Sequence, residues 1–545
     1  MPSIIIVGSS TKSAAYTVKQ LSRYGLDVTV YAWMKTPLKH SRYVRTFVQV
    51  PSPDRDVAAF ANGLIRYLEL HHTDCLLPIN DQALEICKLY EKQLSLHTQV
   101  IGMNVPAAAR YAHSKAALIE IAASTGVKAP KTILITTLDD LELYKDQIVY
   151  PCIAKAASSS IIKNNRLYYF KVRRFSTYPA LLDYVRENIN NINILIQETI
   201  TGYGIGYNII AKDGVVLNEY IHRRLFEYEG ESTYRESVQV TEYGLREQVH
   251  RLIKAIGWTG VAMVEYRISA TGAYIMEING RFWGSIEVAI RSGLNYPVQL
   301  YEMQYLNKEI VAGLPVRHVR VRNLKEEIVN TLRAVAHQRS PRPLLRWLAT
   351  FKNAWRSNEF IEDNVFDDPG FVLACYADVI SRNALRLLER LQLRSISPAR
   401  HQAVVSSGSK AVIAFACTGN ICRSPFAEYF ARQYNPTHEY FSFGTVIAEG
   451  RLSPVNAVAA AAALGTDLSS FTSSVYDKRA IDRATHIFVM DRRNFADLCA
   501  LGIDEKKIFF LGDEEIPDPY GKPIDTFSRI YGQIAAAIER KLPRS

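Results

Sequence analysis

The stretch "AVIAFACTGNICRSPFAEYFARQY", residues 411–434, constrains the fold more than any other part of the chain. "AVIAFA" is an unbroken apolar run between polar neighbours, the pattern of a buried strand. "CTGNICR" has to be a loop. "SPFAEYFARQY" opens a helix, with Ser424 at a cap position and Pro425 in the first turn. A strand, a short loop and a helix N-terminus in this order aim backbone N–H groups inward, and such a nest binds a dianion. Thr418, Gly419, Asn420, Ile421, Cys422 and Ser424 form the phosphate loop on this reading. Cys417 lies at its start, where the same field stabilises a thiolate. Arg423 closes the ring and can grip two phosphate oxygens with its planar fork. A thiolate at the base of a phosphate cradle is a nucleophile for phosphoryl transfer. The leaving oxygen then needs a proton, and Asp518 in the turn-rich "EEIPDPYGK" is placed to give it. Water would hydrolyse the phosphocysteine, with Asp518 now acting as base.

More than four hundred residues precede this loop. A chain of 545 residues is long enough for two to four domains, and at 48% hydrophobic and 22% charged its composition is that of a soluble globular protein. No apolar stretch reaches the length that spans a bilayer. The opening "MPSIIIVGSSTKSAAY" has no basic segment before its apolar run and reads as a first strand, not a signal peptide. Seven cysteines are scattered without a C-x-x-C spacing, so a disulfide framework is not expected and a reducing cytoplasm is the expected location. The formal charge of +11 favours anionic partners. With no zinc finger, aromatic–basic ribonucleoprotein pattern or clear recognition helix, nucleic acid is not expected, and phosphate-bearing ligands are the economical partners.

Residues 1–105 alternate strands ("SIIIVGSS", "DVTVYAWM", "DCLLPIN") with helical stretches, the signature of a parallel sheet covered on both faces. The Gly8-Ser-Ser turn lacks the rest of a dinucleotide fingerprint and reads as a tight strand-to-helix turn. Residues 106–310 are β-rich. There "TGYGIG" follows one strand and leads into another, "YNII", so a hairpin connection is expected in place of a phosphate loop. Residues 311–403 are rich in Arg and helix formers, and 404–410, "VVSSGSK", reads as a flexible linker. A compact domain of 411–545 follows.

A second set of chemistry-bearing residues lies in the β-rich part. In "AYIMEINGRFWGS", Glu277 and Asn279 are two apart on a strand and share a face. "VAMVEYR" carries Glu265 on another strand. Two carboxylates and an amide oxygen suit one or two Mg²⁺ ions, which take oxygen ligands and bridge nucleotide phosphates. Arg281 continues that face and can stabilise a transferring phosphoryl group. By themselves, acidic residues on strands are more often solvated edges.

Resemblance sharpens both readings. "CTGNICRSP" with the downstream "DPYG", and "FSFGTVIAEGRLSP" and "HIFVMDRRNFADL" between them, resemble the low-molecular-weight protein tyrosine phosphatases over about residues 410–545. The resemblance implies Cys417 as nucleophile, Arg423 on the phosphate, Asp518 as general acid, Asn420 shaping the loop and Ser424 assisting the thiolate leaving group. It also implies Tyr520 at the substrate mouth and Cys422 as a thiol able to form a protective disulfide with Cys417. Phosphoarginine-specific relatives carry Thr where this chain has Ile421, so phosphotyrosine is the expected substrate. Phe443 and Phe471 depart from that family's usual small residue and His.

Further upstream, "SK" at 114–115, "IAKA" at 153–156, "IQETI" at 196–200, "VEYR" and "MEINGR" occur in the order of the ATP-grasp superfamily and resemble its carboxylate–amine ligase branch. That resemblance implies a pre-grasp domain over 1–105 and an ATP-grasp domain over 106–310. Lys115 and Lys155 would hold the phosphates of ATP, and Gln197, Glu198 and Ile200 would line the adenine pocket. Glu265, Glu277 and Asn279 would hold Mg²⁺, with Arg281 facing the reacting phosphate. The segment "AASSSIIKNN", 156–165, replaces a Gly-rich lid.

The whole is expected to be a multidomain α/β protein: a pre-grasp α/β domain, an ATP-grasp fold, a helical basic extension over 311–403, and a C-terminal α/β phosphatase domain with a central parallel sheet. The leading functional reading is a bifunctional enzyme. One part activates a small-molecule carboxylate with ATP and Mg²⁺ to an acyl phosphate for capture by an amine-type nucleophile; the other hydrolyses a phosphotyrosine protein or other phosphoester. Two alternatives stand beside it: a signalling phosphatase with an ATP-sensing, non-catalytic N-terminal part, and a membrane-associated scaffold using the basic region 317–356.

Overall fold

The computed structural model describes residues 1–8, 12–158, 160–168, 170–228, 231–338, 340–353, 357–362, 366–405, 410–445, 450–475 and 477–543. Most of the Gly8-Ser-Ser turn, Ser159 of the lid segment and most of the 404–410 linker lie outside them. The chain divides into two compact units. The first holds Met1–Arg174 and Ile192–Ile380; the second holds Phe175–Asn191 and Ser381–Ser545.

The first unit opens on a parallel sheet of β1 (Ser3–Val7), β2 (Asp27–Ala32), β3 (Thr46–Gln49), β4 (Cys75–Pro78) and β5 (Gln99–Val100), in the order β3–β2–β1–β4–β5. The run "SIIIV" is central because it is apolar on both sides. Ile4 and Ile6 pack with Val18 and Leu21 on one face, while Ile5 and Val7 pack with Phe60 and Leu64 on the other.

A smaller sheet follows, made of β6 (Thr132–Ile135), β7 (Cys152–Ala156), β10 (Arg173–Phe175) and β11 (Ile194–Glu198), in the order β10–β7–β11–β6. Between them β8 (Ile161–Lys163) and β9 (Arg166–Tyr168) form a two-stranded hairpin.

The largest sheet has seven strands: β12 (Tyr203–Lys212), β13 (Val215–Tyr228), β14 (Glu231–Val238), β15 (Gly260–Ser269), β16 (Gly272–Asn279), β17 (Arg320–Arg322) and β18 (Glu359–Ile361), in the order β16–β15–β12–β13–β14–β17–β18. Its pairs are antiparallel apart from β17 with β18. Alternation sorts the side chains of β12. Ile205, Tyr207 and Ile209 join a core with Val249 and Leu252, whereas Ile210 joins Tyr220, Val261 and Trp283 on the other side.

Two readings need correction here. "TGYGIG" is not a hairpin connection: its Gly204 and Gly206 lie inside β12. The stretch 311–403 is not helical throughout, since it also supplies β17 and β18 to the sheet. Part of its basic charge is neutralised internally, as Arg322 is buried against Glu327 with an N–O distance of 2.5 Å.

The second unit is built on a parallel sheet of β19 (Val412–Cys417), β20 (Glu439–Gly444), β21 (His486–Val489) and β22 (Ile508–Phe510), in the order β20–β19–β21–β22. Strand β19 again feeds two cores. Ile413 and Phe415 pack with Phe426 and Tyr531, while Ala414 and Ala416 pack with Val489 and Phe495. Among the described residues no helix is long and apolar enough to cross a membrane.

Candidate active sites

The loop after β19 brings its polar groups onto one sulfur atom. The helix that follows is Arg423–Tyr434 with Cys422 at the cap position, so Ser424 stands inside the first turn and not at the cap. Cys417, Asn420, Arg423 and Ser424 are all buried. The backbone N–H of Asn420 donates to Cys417 Sγ at 3.2 Å, and Ser424 Oγ lies 3.0 Å from the same sulfur.

Asn420 supplies Ser424 with a hydrogen-bond donor. Its Oδ1 accepts from the Ser474 N–H at 2.7 Å, which fixes the amide so that Nδ2 donates to Ser424 Oγ at 3.0 Å and to Ser442 Oγ at 2.9 Å. Ser424 Oγ therefore accepts from Asn420 and keeps its own proton, which it can donate to a Cys417 thiolate. The backbone of Asn420 has φ +41°, the left-handed region that Asn tolerates better than most residues, and this lets the loop curl back on the thiol.

Arg423 is held from three sides. Its Nη1 donates to Asp491 Oδ2 at 2.7 Å and to the Ile516 carbonyl at 2.8 Å, and its Nη2 lies 3.3 Å from Asp518 Oδ2. Its buried Nε finds no partner among the described residues. A guanidinium anchored at one corner with another N–H unfilled is set up to receive an oxyanion. Burial opposes its charge, but Cys417, Asp518 and Asp491 around it raise its pKa on balance. Cys422 behaves oppositely to a nucleophile: burial first, then Asp518 and Cys417, push its thiol well up, so it stays protonated.

Asp518 is half exposed. Tyr520 follows it on the same loop, and its hydroxyl donates to Glu187 Oε1 at 2.7 Å within this unit. Cys417 and Cys422 are both free thiols. Phe443 and Phe471 fill buried sites, the first stacked with Phe441 and the second edge-on to Tyr429. Of the other loop residues, Thr418 accepts from Asn494 Nδ2 at 3.0 Å, Ile421 is buried, and a Cβ on Gly419 would stand 3.3 Å from Ile421.

Sequence reasoning missed Asp491, Ser442, Ser474 and Glu187. Asp491 was findable. It precedes "RRNF" and caps the helix Arg492–Ala500 by accepting from the Asn494 N–H, which leaves its other oxygen for Arg423.

In the first unit, β15 and β16 set Glu265 directly opposite Glu277. Asn279 Nδ2 donates to Glu277 Oε1 at 3.1 Å, Lys115 Nζ lies 3.8 Å from Glu277, and Arg224 Nη2 lies 2.9 Å from Glu265 Oε1. Lys155 on β7 is buried near the same charges. Burial, then the like charge of Lys115, pull its pKa down to about 8 against the opposing pull of Glu277 and Glu265. Burial, partly offset by Arg224, raises Glu265. Arg281 leaves the strand and meets Asp81 of the first sheet's layer, its Nη2 and Nε at 2.9 and 3.2 Å from the two carboxylate oxygens.

Thus Lys115, Lys155, Glu265, Glu277, Asn279 and Arg281 come together, and Asp81 and Arg224, not anticipated, join them. Gln197, Glu198 and Ile200 have local partners elsewhere. Gln197 Nε2 donates to Thr132 Oγ1 at 2.9 Å, Glu198 Oε1 accepts from the Lys131 N–H at 2.7 Å, and the Ile200 carbonyl accepts from Arg267 Nε at 3.1 Å.

The carboxylate pair fits a hard divalent cation. Among the described residues no three Asp, Glu, His or Cys converge. Two carboxylates plus an amide oxygen form an all-oxygen set that leaves further positions to water and phosphate, as Mg²⁺ prefers.

Comparison with known proteins is concordant for the second unit. Residues 412–543 match the model of the low molecular weight phosphotyrosine protein phosphatase family. The low molecular weight protein-tyrosine-phosphatase Wzb of Escherichia coli K12 is 31% identical over 120 residues, which are 21% of this chain and 82% of that protein. The solved YwlE arginine phosphatase of Geobacillus stearothermophilus is 31% identical, with a TM-score of 0.23, covering 24% of this chain and 89% of that one. N5-carboxyaminoimidazole synthetase of Staphylococcus aureus is similar at a TM-score of 0.45 and 14% identity, covering 59% of this chain and 82% of that one. Through residues 412–543 the chain belongs to the low molecular weight phosphotyrosine protein phosphatase family.

Proposed function

We propose that the chain is a bifunctional enzyme whose C-terminal domain, 411–545, hydrolyses a phosphomonoester through a phosphocysteine. The observation that carries this reading is the convergence of the Asn420 N–H and the Ser424 hydroxyl on Cys417 Sγ, beside an Arg423 whose Nε has no partner among the described residues. Cys417 Sγ attacks phosphorus, the P–O ester bond breaks, and Asp518 gives its proton to the departing oxygen. Water then attacks phosphorus, the S–P bond breaks, and Asp518 takes the water's proton while Ser424 steadies the returning thiolate. A phosphotyrosine-type aryl ester is the substrate, favoured by Ile421 where phosphoarginine-specific relatives carry Thr. Hydrolysis of an aryl phosphate, abolished in Cys417→Ser, tests the chemistry. Comparison of phosphotyrosine with phosphoarginine peptides tests the substrate, and preference for phosphoarginine would overturn that part.

The first unit, on this proposal, comprises a pre-grasp domain over 1–105 and an ATP-grasp domain over 106–310, and it activates a small-molecule carboxylate for an amine-type acceptor. Lys115 and Lys155 bind phosphates, Arg281 faces the transferred group, and Gln197, Glu198 and Ile200 flank the base. Glu265, Glu277 and Asn279 would hold Mg²⁺, which supplies charge neutralisation between nucleotide phosphates when bound. Support comes from the two carboxylates on directly paired strand positions, ringed by four cationic side chains. ADP formation that requires a carboxylic acid from a panel, and that is lost in Glu277→Ala, tests it. ATP binding without any acid-dependent turnover would contradict it.

A further inference from the structure

The carboxylate pair already has counter-ions of its own. Glu277 and Glu265 face each other across β16 and β15, and like charges at directly opposed positions repel. Each is therefore met by a separate cation: Lys115 at 3.8 Å from Glu277 and Arg224 at 2.9 Å from Glu265. Arg224 is two strands away from Glu265, because β12 lies between β13 and β15. Its guanidinium reaches Glu265 only by lying across β12.

Strand β12 is cut to let it pass. Gly204 precedes Ile205, the partner of Arg223, and a Cβ there would stand 2.8 Å from Arg224 Nη1 and 3.0 Å from its Cζ. Two residues further on, Gly206, the partner of His222, makes the same room for that ring, whose Cε1 would be 2.2 Å from a Cβ. These are the glycines of "TGYGIG". Neither has φ in the left-handed region, so their role is clearance and not a turn. His222 adds no charge to this row. Burial holds its pKa well down, and its Nδ1 takes a hydrogen bond from Asn208 Nδ2 at 3.0 Å.

Arg224 also has a second seat. Glu227, further along its own strand, lies 3.7 Å from Nη1 and is shared with Arg267 at 3.9 Å. The guanidinium thus stands between Glu265, which belongs to the metal-binding set of the proposed ATP-grasp reading, and Glu227, which does not.

We propose that Arg224 is a built-in counter-ion for the metal site: it occupies Glu265 while the site holds no metal, yields that carboxylate to the divalent cation, and falls back on Glu227. This rests on the metal-dependent reading of the first unit. The consequence is competition, since every metal ion bound has to displace an existing ion pair, and the strength of metal binding is set partly by a residue that touches no metal. Substitutions at the two ends of the exchange then act in opposite directions. Loss of Arg224 removes the competitor, and loss of the Glu227 charge removes its fallback.

The test is Mn²⁺ binding to the full chain in the presence of ADP, followed by electron paramagnetic resonance of the free ion. Arg224→Gln is expected to tighten Mn²⁺ about tenfold, Arg224→Lys by less, and Glu227→Gln to weaken it several-fold. The Arg224→Gln, Glu227→Gln double variant is expected to match Arg224→Gln alone. Glu227→Gln keeps the idea falsifiable if Arg224→Gln does not fold. Unchanged or weaker binding in a folded Arg224→Gln, or no change in Glu227→Gln, would overturn the exchange while leaving the metal site standing. Absence of Mn²⁺ binding in the unaltered chain would remove the metal-dependent reading and the exchange with it.

Discussion

Ser424 and Lys155 are the two side chains whose surroundings make the sharpest demands. Ser424 accepts from Asn420 and lies 3.0 Å from Cys417 Sγ, where its proton can meet a thiolate. Ser424→Ala should lower kcat for an aryl phosphate by roughly tenfold, about the worth of one hydrogen bond to a charged group. Steady-state hydrolysis of an aryl phosphate by the two forms reads this directly. Lys155 has its pKa held at about 8 by burial and Lys115. Below that pH it is charged, and on the proposed ATP-grasp reading that charge attracts nucleotide phosphates. As pH rises through 8 the free protein loses that charge, so ATP affinity should fall, and Lys155→Arg should flatten the decline. Calorimetric titration of ATP between pH 7 and 9 is the check, and a flat profile in the unaltered chain would contradict the role. That Cys417, Asn420, Arg423 and Ser424 lie together was legible because strand, loop and helix are consecutive in the chain. Asp81, Arg224 and Glu187 were not, because each reaches its site from a distant element.

The elements themselves were readable where hydrophobic pattern and position agree. "SIIIV" and "AVIAFA" are apolar on both faces and became central parallel strands. "TGYGIG" was misread because Gly signals a turn when backbone freedom is wanted and a gap when a neighbour's side chain needs space, and sequence does not distinguish these. The structure makes the gap testable. Gly206→Ala places a methyl 2.2 Å from the His222 ring in a buried site, so it should destabilise the first unit by about 1–3 kcal/mol. Denaturant unfolding of the full chain should show an early shift in one transition and leave the other in place. Strands β17 and β18 escaped notice because three-residue strands carry too little periodicity against an Arg-rich background.

At the scale of the molecule, two compact units carry two separate clusters of catalytic residue types. Separate clusters predict separable losses. Cys417→Ser should abolish phosphate release and leave ADP formation intact, and Glu277→Ala should do the reverse. The account stands or falls on sulfur attack at the cradle. Its most direct measurement is mass spectrometry of the chain quenched in acid-free buffer during turnover of an aryl phosphate. The account predicts one phosphoryl group on the peptide containing Cys417, accumulating further in Asp518→Ala with a fast-leaving phenol. Phosphate release with no such adduct on Cys417, or activity retained in Cys417→Ser, would contradict it.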